Sequence, residues 1–369
     1  MIDAIKLLSF LKKKKVNFFS GVADSSLKAF TKELEKEIGI KHFPVYNEGS
    51  AVSLGIGYHL STGKIPCVYL QNSGLSNAIN PLVSIAHKQV YSIPLILIIG
   101  WRGSPFLKSD EPQHNVKGKI TRQLLKLLNI KYFVLRNEKD LKKFGKLINY
   151  SKRKNQSIGC LVERNTLFTK KYLKQKIDLN FDLTREIFIK NLLKHINSRS
   201  KIISTTGYTS REVYKIRKDN KLFKGKDFYM VGGMGHSSMV ALGVSLKEKK
   251  KNIICLDGDG SILMHFGSMK VSGLFGKSNF KHVLFNNASH ESVGGQRTYV
   301  ENLKFSKIAK LLGYKYVSEI RKKTELTKKL KKFLKSKGPS FLEVKTKSGT
   351  LKNLGRPKDL LNIKNRFKR

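Results

Sequence analysis

Asn252-Ile253-Ile254-Cys255-Leu256 runs through Asp257 into Gly258-Asp259-Gly260-Ser261, and Ile262 to Met269 follows. The apolar run has the length and composition of a buried parallel strand, and the segment after the turn reads as a helix. Small residues in such a turn let a ligand approach the backbone. Free N–H groups at the helix start, aligned with the helix dipole, favour an anion. Asp259 would repel a phosphate unless a cation lay between them. Mg²⁺ suits that place, because it takes oxygen ligands and is often shared between carboxylates and phosphates. The next apolar run, Val283-Leu284-Phe285, delivers Asn286-Asn287 to the same carboxyl edge of the sheet, where ligands of open α/β sheets bind. A carboxamide oxygen there is a candidate second metal ligand. The plain alternative is an ordinary strand-to-helix turn with a capping Asp and an Asn-rich loop.

Outward from this turn, short apolar runs alternate with helical segments. In the first half, strands are expected at Val16–Phe19, His42–Tyr46, Ile65–Leu70, Ile93–Ile99, Lys131–Leu135 and Ile158–Glu163. An amphipathic helix follows over Leu27–Ile38, capped by Asp24 or Ser25, and a small-residue helix spans Ala51–Leu60. Ser104–Gly118 is expected as one long polar loop, a feature often tied to function. The second half repeats the alternation, with strands at Lys201–Ser204, Asp227–Val231, Asn252–Leu256, Lys281–Phe285, Tyr314–Val317 and Ser340–Val344. Alternation of this kind predicts an α/β fold of two doubly wound parallel-sheet domains. The expected boundaries are 1–165, a linker at 166–182, a second domain at 183–347 and a loosely held basic tail at 348–369.

Composition narrows the function classes. Hydrophobic residues make up 40% of the 369 positions, enough for packed cores, and the longest apolar run, Ile93 to Trp101, is too short to span a bilayer. At the start of the chain the lysines follow the apolar residues, the wrong order for a signal peptide. Cys67, Cys160 and Cys255 each sit in an apolar run without metal-ligand spacing, which suits buried thiols in a reducing compartment. These readings predict a cytoplasmic protein with no membrane partner. The net charge is +47. The lysines spread over nearly every predicted helix and form no single stripe, so the expectation is solvated faces and not a nucleic-acid interface. An anionic substrate gains from the field in either case.

Gly258-Asp259-Gly260, then 25 residues (261–285), then Asn286-Asn287 resembles the thiamine-diphosphate motif. By that resemblance Asp259, the side chain of Asn287 and the carbonyl of Ser289 hold Mg²⁺. Several phrases resemble the phosphonopyruvate decarboxylase family more closely. They are Gly21-Val22-Ala23-Asp24-Ser25, Tyr46-Asn47-Glu48-Gly49, Gln71-Asn72-Ser73-Gly74, Gly100-Trp101-Arg102-Gly103 and Asp110-Glu111-Pro112-Gln113-His114 in the first half. Thr205-Thr206-Gly207-Tyr208-Thr209-Ser210-Arg211-Glu212, Gly232-Gly233-Met234-Gly235-His236 and Ser292-Val293-Gly294-Gly295-Gln296 follow in the second. Ala23 stands where that family often has proline, and Tyr208 where it often has lysine.

The resemblance implies a pyrimidine-binding first domain and a diphosphate-binding second domain. It implies a thiamine-diphosphate- and Mg²⁺-dependent carboxy-lyase acting on 3-phosphonopyruvate in phosphonate biosynthesis. Glu48 would hydrogen-bond the cofactor's aminopyrimidine, with Asp24 and His114 as further acid-base groups. Without the resemblance, Glu48 reads as a first-turn acid, Asp24 as a cap and His114 as a solvated loop residue. Met234 would prop the cofactor, with Gly233 beside it. Gly258, Gly260, Ser261, Thr206, Gly207 and Ser210 would line the diphosphate. Arg102, after a buried strand at the ligand-binding edge, is a candidate bidentate fork for the substrate's second anion, with a surface ion pair as the equal alternative; Ser25 and Gln296 are the further substrate candidates. Cofactor sites of this superfamily lie between subunits, so at least a homodimer is implied. Sulfopyruvate decarboxylase, another 2-oxo acid decarboxylase or carboligase, and a basic nucleic-acid-binding protein on an inactive enzyme fold are the alternatives.

Overall fold

The computed structural model describes residues 1–108, 110–170, 181–220, 223, 225–248 and 250–368. Two compact units, Met1–Lys174 and Gln175–Arg369, divide the chain.

The first unit is built on six strands: β1 Phe18–Gly21, β2 Lys41–Pro44, β3 Cys67–Gln71, β4 Ile96–Trp101, β5 Lys131–Leu135 and β6 Ile158–Glu163. They lie in the order β2-β1-β3-β4-β6-β5 and are parallel throughout. β4 shows why the sequence gives this layer. Its run Ile-Leu-Ile-Ile-Gly-Trp is buried along its whole length, as a strand covered on both faces must be. Alternate side chains point to opposite faces. Ile96 and Ile98 enter a core with Phe19, Phe30 and Phe144, while Leu97 and Ile99 enter a second core with Leu75, Trp101 and Leu125.

The second unit repeats the plan. Its strands are β7 Lys201–Ser204, β8 Phe228–Tyr229, β9 Ile253–Gly258, β10 Phe280–Asn286, β11 Tyr316–Ile320 and β12 Ser340–Lys345. They are parallel in the order β8-β7-β9-β10-β12-β11, the same permutation as in the first unit. In both, the winding reverses between the first and third strands. That switch point opens a crevice at the carboxyl ends of the strands.

Three expectations are corrected. The helix after Gly258 is two helices, Asp259–Met264 and Gly267–Phe275, broken at His265-Phe266. Ser104–Gly118 is not one loop, because a helix starts at Pro112 and runs to Leu127. Proline tolerates the first helical position, where its missing N–H is not needed. The tail is not loosely held. The Leu351 N–H donates to Glu212 Oε1 at 3.2 Å, and Leu360–Lys368 forms a helix. Leu360, Ile363 and Phe367 are spaced to share one helix face. Ile363 is 4% exposed, and Phe367 packs its ring on Phe228. The surrounding lysines mask this stripe in the sequence.

Around the expected linker, Leu167-Phe168 pairs with Ile2-Asp3 and so stays with the first unit; residues 171–180 lie outside the described residues. Cys67, Cys160 and Cys255 are free and buried. Among the described residues, no helix is long and apolar enough to cross a membrane. The corrected tail makes a test. Ile363→Ala should lower unfolding free energy by about 2 kcal/mol, measured by urea denaturation; an unchanged midpoint would mean the terminal helix does not dock.

Candidate active site

In the first unit the candidate residues come from the ends of neighbouring strands. Asp24 follows β1 and is fully buried. Its Oδ1 accepts from Gln71 Nε2, at the end of β3, at 2.5 Å. Its Oδ2 accepts from the N–H groups of Ser26 and Leu27 at 3.1 and 3.2 Å. Asp24 therefore does brace the turn before the next helix, and it sits at the switch point as well. Burial pushes its pKa up, against the Gln71 hydrogen bond, the Arg102 charge and the two N–H groups. The backbone of Gly100 passes so close that a Cβ there would lie 1.9 Å from Asp24 Oδ2.

Glu48 opens the helix Glu48–Thr62 behind the Asn47 cap. It is 4% exposed, and its Oε2 accepts from Asn77 Nδ2 at 2.8 Å. Gly74 leaves it room, since a Cβ at that position would stand 1.9 Å from Glu48 Oε1. Burial raises its pKa, opposed by Asn77, by a backbone N–H and by the charge of Lys117. A carboxyl of raised pKa in a dry setting suits proton exchange. The Lys117 ammonium approaches the Ser73 carbonyl at 3.4 Å, and Ser73 Oγ donates to Gln71 Oε1 at 2.8 Å. Ser73 and Gln71 thus link the Glu48 and Asp24 neighbourhoods.

Arg102 forms an ion pair, the alternative reading, though a largely buried one. Its bidentate edge is already engaged: Nε donates to Asp110 Oδ2 at 2.7 Å and Nη2 to Asp110 Oδ1 at 2.6 Å. The segment ahead of Pro112 folds back and delivers Asp110, so the fork anchors that segment. Nη1 faces the hydroxyl of Ser25 at 3.2 Å. His114 stands in the first turn of the helix Pro112–Leu127; against burial, the Arg102 hydrogen bonds above all hold Asp110 below the ordinary carboxylate range.

In the second unit, Ser261 gathers the site at the switch point. Its Oγ is 2.9 Å from Thr205 Oγ1 and accepts from the Gly235 N–H at 3.1 Å. This brings the segments carrying Thr206-Gly207 and Gly233-Met234 to the Gly258-Asp259-Gly260 turn. Ser210 is buried, and its hydroxyl contacts the carbonyls of Ser204, Thr205 and Met230 at 3.1, 2.6 and 3.1 Å. Its side chain braces the turn. Asp259 is 3% exposed; its Oδ1 accepts from the Gly260 N–H at 2.8 Å and its Oδ2 from Thr298 Oγ1 at 2.9 Å. Burial pushes its pKa up to about 6, against those donors and the N–H groups of Ala288 and Ser289.

Asn287 and Ser289 are buried beside it, with Asn287 Oδ1 accepting from the Ser289 N–H at 3.1 Å. The donor set is all oxygen, and Asp259 has no ion-pair partner among the described residues. A hard divalent cation fits these oxygen donors and the Asp259 charge. Gln296 is buried on the second arm of a short hairpin, Ser289-His290 with Gln296-Arg297.

Behind the turn, Asp257 lies 3.5 Å from His282 Nε2, and His282 Nδ1 is 2.8 Å from the Tyr314 hydroxyl. Burial would raise the Asp257 pKa, but His282, Ser261 and the Gly258 N–H together hold it down. The sequence reading missed roles for Gln71, Asn77, Asp110, Lys117 and Thr298. Gln71 and Asp110 lie inside phrases already singled out; Thr298 carries no local signal.

Two family matches fall one on each unit. Residues 4–125 match the thiamine pyrophosphate enzyme N-terminal TPP binding domain, and residues 204–344 match the C-terminal TPP binding domain. The fold and site thus define a thiamine-diphosphate enzyme. A phosphonopyruvate decarboxylase of Streptomyces hygroscopicus is 30% identical over 374 residues, covering 97% of this chain and 91% of that protein. The sulfopyruvate decarboxylase subunit beta of Methanocaldococcus jannaschii is 36% identical over 126 residues, 34% of this chain and 64% of that subunit. The subunit alpha of Methanothermobacter thermautotrophicus is 26% identical over 151 residues, 40% of this chain and 87% of that subunit. The chain belongs to the phosphonopyruvate decarboxylase family of thiamine-diphosphate-dependent 2-oxo acid decarboxylases. Its activity is decarboxylation, a carboxy-lyase reaction, with thiamine diphosphate as cofactor.

The raised pKa of Glu48 has a signed consequence in cofactor-free protein. An acid whose folded pKa exceeds its unfolded value contributes stability below the unfolded value and loses it as pH rises through the folded one. Urea denaturation from about pH 4 to about pH 8 should show stability falling more steeply in wild type than in Glu48→Gln. Equal slopes would mean Glu48 ionises as an ordinary carboxyl.

Proposed function

We propose that the substrate is 3-phosphonopyruvate, cleaved between C1 and C2 to CO2 and phosphonoacetaldehyde, with Mg²⁺ as the metal. The observation that carries the substrate reading is the Arg102–Ser25 pair, 3.2 Å apart at the edge that holds Asp24 and His114. With its fork on Asp110, Arg102 offers the Nη1 edge, and Ser25 adds a hydroxyl. Together they suit one face of a tetrahedral anion. Gln296 is the proposed contact from the second unit.

When bound, thiamine diphosphate supplies an electron sink for the pair released as CO2 departs. The chain supplies binding, orientation and protons. Asp259, the Asn287 side chain and the Ser289 carbonyl are the proposed Mg²⁺ ligands. Gly258, Gly260, Ser261, Thr206 and Gly207 line the diphosphate place, with Ser210 fixing the turn from behind. Met234 and Gly233 support the cofactor. Glu48 would hold the aminopyrimidine by a hydrogen bond, and its raised pKa would suit it to carry that proton. Asp24 and His114 manage the proton that replaces CO2 on the product carbon. Assembly as at least a homodimer, with Glu48 of one copy serving the cofactor held by Asp259 of another, completes the proposal.

Purified protein should turn over phosphonopyruvate faster than sulfopyruvate or pyruvate; preference for sulfopyruvate would reassign the substrate within the same site. Arg102→Leu should cut kcat/KM for phosphonopyruvate about a hundredfold more than for pyruvate, because it removes the partner of the second anion. Asp110→Asn controls for loosening of the segment, since it keeps the cation and should keep the discrimination. Equal losses on both substrates in Arg102→Leu would move the phosphonate elsewhere.

The assembly has its own test. Inactive Glu48→Ala and inactive Asp259→Ala proteins, mixed under conditions of subunit exchange, should regain partial activity. No recovery despite measured exchange would mean each chain builds its own site.

A further inference from the structure

The hairpin formed by Ser289-His290 and Gln296-Arg297 covers the turn that carries Asp259. Next to its second arm, the Thr298 N–H donates to the Ala288 carbonyl at 2.9 Å, while the Thr298 hydroxyl reaches Asp259. His290 lies against the backbone of Gly260, where a Cβ would be 2.2 Å from its Cε1. The tip, Glu291–Val293, is fastened differently. Glu291 Oε2 accepts from Arg185 Nη1 at 3.1 Å, and Oε1 accepts from the N–H of Gly349. Arg185 also binds Glu212 through Nε at 2.7 Å and Nη2 at 3.4 Å, and Nη2 reaches the Gly349 carbonyl at 3.4 Å. Glu212 Oε1 in turn accepts from Thr350 Oγ1 at 2.8 Å and the Leu351 N–H at 3.2 Å.

One guanidinium, its side chain 7% exposed, thus joins three places. They are the hairpin tip, the helix Tyr208–Asp219 that starts beside Gly207, and the segment Gly349–Leu351 beyond the last strand. Buried charges cost free energy unless paired and hydrogen-bonded, and each carboxylate here is met by donors from two or more elements. We propose that Arg185 is a positioning residue for the cofactor site, holding the 289–297 hairpin over Asp259 through Glu291. The 349–351 segment completes the lock, so the C-terminal part of the chain is a working part of the site. The inference rests on the cofactor assignment and not on the identity of the substrate.

A buried ion cluster that only stabilises the core would look similar, so the test needs a matched control. Arg217 and Asp227 provide it, a bidentate buried pair in the same unit at 2.7 and 3.0 Å. Asp227 precedes the amino end of β8, away from the hairpin. Arg185→Leu strands two buried carboxylates and can fail to fold. Glu291→Ala is therefore the primary variant, since it leaves Arg185 paired with Glu212.

Calorimetry at saturating Mg²⁺ should show thiamine-diphosphate affinity weakened about tenfold in Glu291→Ala. Hydrogen exchange should quicken at the amides of 289–297. Arg217→Leu should lower the urea midpoint and leave the affinity unchanged. Wild-type affinity and hairpin exchange in folded Glu291→Ala would overturn the inference, as would equal weakening in Arg217→Leu. Failure of wild type to bind thiamine diphosphate at all would overturn the cofactor assignment with it.

Discussion

Asp259, a buried carboxylate with no ion-pair partner among the described residues, is the constraint on which the second unit's site depends. Asp259 is surrounded by N–H and hydroxyl donors, yet burial still lifts its pKa to about 6. Donors of partial charge do not replace a cation. The turn therefore holds its acid at a cost that a nearby cation would offset. The second unit is arranged to make that place available, with the Asn287–Ser289 segment, the Ser261 hub and the hairpin all converging on it. The first unit also buries acids, here with a cation nearby: Arg102 acts on Asp24 and Lys117 on Glu48. Asp24 and Glu48 are buried at strand ends, and both are pushed toward the protonated form.

The parallel sheet is what permits this. Both units use one strand order, so both open a crevice between the first and third strands. In the first unit the hydrogen bond across that crevice joins Asp24 to Gln71; in the second it joins Thr205 to Ser261. Chemistry-bearing residues from distant parts of the sequence meet there because each lies one turn beyond a strand's carboxyl end.

Much of this was legible in order of residues alone. Strand ends could be read from apolar runs, and the residues just past them were the right ones to inspect. Strand ends put Glu48 and Asp259 among those residues, and the family resemblance, not the strand pattern, proposed their roles. Arg102 was placed at the correct edge, but its partner was not foreseeable. Asp110 reaches it only because Pro112 starts a helix and turns the preceding segment back, a tertiary event that a polar stretch does not announce. The roles of Gln71 and Asn77 depend on side chains crossing between strands, which periodicity cannot report. The docking of the tail was hidden because Leu360, Ile363 and Phe367 are diluted by basic residues. That same excess of basic residues, 73 against 26 acidic ones, leaves a positive field that favours anionic ligands.

The central proposal is that Asp259 couples the binding of Mg²⁺ to the binding of the diphosphate. Calorimetric titration of thiamine diphosphate with and without Mg²⁺ tests it most directly. Linkage requires that each ligand tighten the other by the same factor. Wild type should show strong mutual tightening, and Asp259→Asn should show almost none while remaining folded. Thiamine-diphosphate binding that ignores Mg²⁺ in wild type, or tightening that survives in Asp259→Asn, would contradict the account.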